Sequence, residues 1–96
     1  MRQPDERRRE LQQRTKEAFR FILSDESVTV LPPERLREVA ELVRETEFTI
    51  AFDLLAAILA QSNLTPTAQV LERMREIAER HRIKPENWHG LNGPGP

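Results

Sequence analysis

The sequence predicts an all-α fold: a small four-helix bundle closed by a short C-terminal helical turn, with its third helix buried at the centre. Three observations lead there. Apolar side chains recur at three- and four-residue steps along most of the chain. Runs of β-branched residues, which strands favour, are almost absent. All three glycines fall within the last seven residues, so no glycine interrupts the helical region. At 96 residues, 38% of them hydrophobic and 32% charged, the chain has the size of one domain. We assign that domain to residues 1–91 and expect a disordered tail over 92–96.

The first helix is expected from about Asp5 to Leu23, because Leu11, Thr15, Ala18, Phe19 and Ile22 recur at helical steps. Ser24-Asp25-Glu26-Ser27 ends it, and Val28 to Leu31 alternates like a short extended segment. Pro32-Pro33 fixes the backbone and favours a helix start, so the second helix is placed at about Pro33 to Glu45, with Leu36, Val39, Ala40 and Val43 on one side. The third, about Glu47 to Gln61, is apolar at nearly every position between Phe48 and Ala60, the mark of a central helix. Thr65 can cap the fourth helix with Pro66 at its first position, and Val70, Met74, Ile77, Ala78 and His81 share its inner face as far as Arg82. Lys84-Pro85-Glu86-Asn87-Trp88 suggests a last turn that returns the single tryptophan to the bundle.

The longest apolar run, Leu54 to Ala60, is far short of the roughly 20 residues that cross a bilayer, and charges rather than a signal segment follow Met1. These features predict a cytoplasmic protein without membrane contact. With no cysteine, disulfides and thiolate chemistry are excluded.

Catalytic groups are scarce. His81 and His89 are the two imidazoles; His81 falls on an apolar stripe, where it reads as a core-edge histidine, and His89 reads as solvated. No paired ligand spacing, nucleophile elbow or phosphate-cradling glycine loop is present, so no catalytic residue, cofactor or metal is expected. Asp53 has two readings. Its apolar neighbours would raise its pKa if they buried it, but Thr49, Asp53 and Ala60 also form a narrow strip that can face outward between flanking helices.

Charge placement is more informative than any single group. Fifteen Lys and Arg balance sixteen Asp and Glu to a net −1, yet between Ser24 and Asn63 eight acids face three arginines, leaving that stretch at −5 and the remainder at +4. The acids are Asp25, Glu26, Glu34, Glu38, Glu41, Glu45, Glu47 and Asp53. At about 100° per residue, Glu34, Glu38, Glu41 and Glu45 form an outward ridge on the second helix, with Arg35, Arg37 and Arg44 alongside. Pairs such as Glu34–Arg37 and Glu41–Arg44 would neutralise part of it. Glu72, Glu76 and Glu79 also point outward on the fourth helix, but Arg73, Arg75, Arg80 and Arg82 accompany them. The eight acids are therefore our candidate partner-binding set, suited to a basic surface. Arg9, Lys16 and Arg20 align on the first helix beside Arg7 and Arg8 and could meet phosphates, but Glu6, Glu10 and Glu17 interleave and no stacking aromatics accompany them. Direct nucleic-acid binding is not expected.

From Val28 onward the chain carries a charged helix, then Glu47-Phe48-Thr49-Ile50-Ala51-Phe52-Asp53-Leu54-Leu55, then Thr65-Pro66 opening another helix, then Ile83-Lys84-Pro85-Glu86-Asn87-Trp88. This ordered series resembles the MafI-type immunity proteins of bacterial polymorphic toxin systems over about two thirds of the chain. The resemblance implies a small cytoplasmic antitoxin that binds one cognate toxin domain, commonly a nuclease, as a monomer in a 1:1 complex. The competing expectation is a helical interaction module or homodimer in which exposed Phe21 and Trp88 join helices of two chains.

Overall fold

The structure is a computed structural model that describes residues 4–84 and Trp88, with side chains from Glu6 onward. Five helices and no strand occur among the described residues: α1 (Pro4–Ser24), α2 (Glu26–Thr29), α3 (Pro33–Arg44), α4 (Phe48–Gln61) and α5 (Ala68–His81). The four long helices match the expected bundle. The expected tail 92–96, His89 and the middle of the expected C-terminal turn lie outside the described residues.

Each helix contributes one face to a common core. Ala18, Phe19 and Ile22 of α1 meet Val39 and Val43 of α3, seven buried residues of α4 including Phe52, Leu55 and Leu59, and Val70, Met74 and Ile77 of α5. α4, the most apolar helix, keeps an open strip of Thr49, Ile50, Asp53, Ala57 and Ala60. Trp88 packs edge-on against Phe52, with ring centroids 6.2 Å apart and an interplanar angle of 87°. Leu11 lies on the inward stripe of α1 but beyond the edge of the core, and is exposed.

The segment after α1 differs from the expectation. Val28 to Leu31 is not extended: α2 begins at Glu26, because Asp25 acts as an N-cap and accepts the Ser27 backbone N–H at 2.9 Å and the Ser27 hydroxyl at 2.7 Å. Val28 and Leu31, three apart, are buried, while Val30 is 70% exposed. Helical spacing thus satisfies the core where alternation would have buried Val28 with Val30. The Ser27 hydroxyl, then its N–H, hold the Asp25 carboxyl below its usual value.

The start of α5 also moves. Thr67, not Thr65, is the cap: its Oγ1 accepts the Val70 N–H at 3.3 Å, and Pro66 lies buried before the helix rather than inside it. The Thr67 hydroxyl donates to Asp25 Oδ2 at 3.3 Å, and its N–H donates to the Ser27 hydroxyl oxygen at 3.4 Å, so two helix starts 42 residues apart share one polar cluster. Thr67→Ala should cost about 1 kcal/mol from the cap alone, measured by urea denaturation; an unchanged midpoint would contradict the role of this cluster.

Between α3 and α4 the chain reverses through Glu45-Thr46-Glu47. The Thr46 N–H donates to the Val43 carbonyl at 3.0 Å and the Glu47 N–H to the Leu42 carbonyl at 2.8 Å, the paired bonds of a Schellman ending. That geometry puts Thr46 at φ 61, a left-handed position that a β-branched residue occupies at a cost. Thr46→Gly should therefore raise unfolding stability by about 1 kcal/mol; a decrease would show that the threonine side chain outweighs the backbone strain.

His81 closes the bundle at the end of α5. Its Nε2 lies 3.0 Å from the Oγ1 of fully buried Thr15, whose hydroxyl donates to the Leu11 carbonyl at 2.9 Å. With that proton committed, the threonine oxygen accepts from the ring N–H. The Phe48 ring lies 5.3 Å from the imidazole centroid. Burial, then Arg80, push the His81 pKa below its ordinary 6.5. The unfolded chain consequently takes up this proton first as pH falls, so the contribution of neutral His81 is full above 6.5 and declines as pH drops through that value toward the folded one. Between neutral and mildly acidic pH the parent should lose more unfolding free energy than His81→Gln; equal losses would contradict this linkage.

Candidate protein-binding surface

The orientation of α3 follows from its apolar residues. With Val39 and Val43 in the core, and Leu36, Ala40 and Leu42 half-buried, the opposite side must carry the charges. Glu34, Glu38, Glu41, Glu45 and Glu47 are all exposed, so the structure forms the ridge and extends it into the link that leads to α4. The expected Glu34–Arg37 and Glu41–Arg44 pairs do not form. The ion pair on α3 is Arg35–Glu38 at 3.5 Å, between side chains 41% and 53% exposed. Such pairs are worth little against hydration, so the register of pairing on an exposed helix is weakly determined. Glu34, Glu41, Glu45 and Glu47 have no side-chain partner among the described residues.

α5 makes the contrast. Arg73 pairs with Glu76 at 3.3 Å, and Arg75 reaches both Glu72 and Glu79. The outward glutamates of α5 are thus neutralised within their own helix, whereas on α3 only Glu38 is paired among the described residues.

Three other members of the predicted set fare differently. Asp25 is committed to the cap of α2 and to Thr67, so its carboxylate belongs to the scaffold rather than to the ridge. Glu26 is exposed at the first position of α2. Asp53 is exposed on the open strip of α4, beside the small side chains of Ala56, Ala57 and Ala60; of its two readings the outward one holds, because the strip it shares with Thr49 faces water.

Ile50 was missed by the sequence reading. It is 53% exposed and lies one turn after Glu47 on α4. The near-continuous apolar composition of that helix suggested burial all round, yet its neighbour Thr49 already marked the open side. An exposed branched aliphatic one turn from exposed carboxylates offers a partner a small apolar centre with a polar rim.

The cation row expected on α1 is divided. Arg9 lies beside Glu10, Gln13, Arg14 and Glu17, whereas Lys16 and Arg20 face a groove toward α3. The side chains proposed to join two copies are also engaged within one chain. The Arg73 guanidinium lies 4.9 Å above the centre of the Phe21 ring, and Trp88 packs on Phe52. Both rings thus have a partner within their own chain, while Phe21 stays exposed.

No group of three His, Cys, Asp or Glu side chains among the described residues can hold a metal ion, and no helix there is long and apolar enough to cross a membrane. His81 contacts Thr15 and Phe48 rather than a carboxylate. No protein-family model, curated protein or solved structure matches the chain.

Proposed function

We propose that this chain is a cytoplasmic immunity protein that binds a cognate toxin domain, preferably a nuclease, and blocks it by covering a basic surface. The observation that carries the reading is the α3 ridge, where Glu34, Glu41, Glu45 and Glu47 stand exposed without a cation partner among the described residues. A nuclease must keep a cationic cleft for phosphates, and carboxylates spaced along a rigid helix offer that cleft a substitute polyanion. Ile50 supplies apolar area that excludes water at the contact, which strengthens each charge pair around it. The ridge also draws the partner in, since unscreened charge of one sign accelerates encounter with its opposite. No reacting group is asked of the inhibitor: its work is to occupy a surface. The order of sequence features, which resembles that of MafI-type immunity proteins, points in the same direction.

The test is Glu38→Lys combined with Glu41→Lys, assayed by calorimetry against any basic toxin domain found encoded adjacent to this chain. Affinity should fall by about 2–5 kcal/mol where the pairs are desolvated, while the melting temperature stays near that of the parent because both positions are exposed. In the parent, the association rate should fall as salt rises, because the Debye length shrinks. Unchanged affinity in the double variant would remove the ridge from the contact, and absence of binding to any adjacent toxin domain would remove the immunity reading.

A further inference from the structure

A second surface is built in the opposite sense. α1 packs along α3, and the two helices leave an open groove of about 540 Å³ between them. Lys16 and Arg20 of α1 line it together with Arg44 of α3, and no acidic side chain among the described residues does. None of these three cations has a carboxylate partner among the described residues, although ion pairs are frequent on α5. Apart from Ser24 the rest of the lining is apolar: half-buried Leu23 and Ala40, with buried Phe19 and Val43 beneath.

We propose that this groove docks an acidic peptide segment with an apolar anchor, supplied by a partner protein. The charge distribution selects that occupant. Lys16 and Arg20 are one turn apart, about 6 Å along α1, Arg44 lies on the α3 wall, and the α1 side of the groove, from Lys16 to Ser24, runs about 12 Å, so the line of positive charge crosses from one wall to the other rather than gathering at a point. A chain bearing several carboxylates matches that line; a ligand with one anionic head would leave two cations unanswered. The apolar lining adds a demand that a phosphate backbone does not meet, since Leu23 and Ala40 share the groove with the cations and offer a polyphosphate no polar partner. An extended segment of three or four residues covers this length, placing a leucine or phenylalanine over Ala40 while flanking carboxylates reach Arg20 and Arg44. This site is independent of the acidic ridge, which lies on the outward side of α3.

The probe is a fluorescein-labelled peptide with a central leucine–phenylalanine pair flanked on both sides by glutamates, titrated with the full chain and read by anisotropy. Backbone amide shifts on the same samples locate the contact. Saturable binding should shift amides of residues 16–24 and 40–44. Arg20→Glu and Arg44→Glu, both at exposed positions, should each weaken it by about tenfold with unchanged thermal melts, whereas Glu38→Lys should not weaken it. Replacing the leucine–phenylalanine pair by alanines should weaken it by about fivefold or more. Equal binding of the all-glutamate peptide, shifts located elsewhere, no binding, or tighter binding of a single-stranded oligonucleotide of equal charge would each overturn the proposal. The Glu38→Lys control separates this outcome from failure of the ridge, because each surface is tested by its own substitutions.

Discussion

The rotation of α3 about its own axis is the constraint on which the rest depends. Val39 and Val43 must reach the core formed by Phe19, Phe52 and Leu55, and the burial of those side chains sets the face that α3 turns inward. Once that face is set, the glutamates of α3 have no freedom to choose their environment. They stand in water on the far side, on a helix held by packing rather than by its own propensity. The same rotation turns Arg44 toward α1, where it completes the cationic groove with Lys16 and Arg20. One packing decision therefore yields two surfaces of opposite sign on neighbouring sides of a single helix.

The polar links serve the same end. Asp25, Ser27 and Thr67 join the starts of α2 and α5, so the short turn after α1 is anchored by a cap rather than by length. The His81–Thr15 contact ties the last residue of α5 back to α1. The left-handed Thr46 lets the chain reverse within three residues between Arg44 and Phe48, which keeps Glu45 and Glu47 adjacent to the α3 ridge rather than spread along a loop. Residues held in costly backbone conformations concentrate where geometry matters, and this one sits between two unpaired carboxylates.

Much of this was legible in the sequence because helical periodicity is a direct statement about burial. Val39 with Val43, and Val70, Met74 and Ile77, fall inward as their spacing requires. The outward position of the glutamates followed from the same arithmetic. Val28 to Leu31 was misread because four residues satisfy strand and helix periods almost equally; the Asp25 cap decides between them, and its signal is the aspartate two residues before Ser27. The start of α5 was displaced because Thr65-Pro66 and Thr67 are rival caps separated by a single residue, and the choice rests on a contact with Asp25 some forty positions away. Ile50 was hidden by composition: on a helix this apolar, the open strip is defined by which neighbours pack against it, which no local pattern states. The groove could not be read at all, since Lys16, Arg20 and Arg44 come together only when α1 packs on α3.

The most direct measurement of the central claim is backbone hydrogen exchange of this chain, alone and saturated with a basic toxin domain of the kind proposed as its partner. Slower exchange concentrated in the second half of α3, the Glu45–Glu47 link and the first turn of α4 is the footprint that the account predicts. Protection centred on the self-neutralised face of α5, with α3 exchanging as in the free protein, would contradict it.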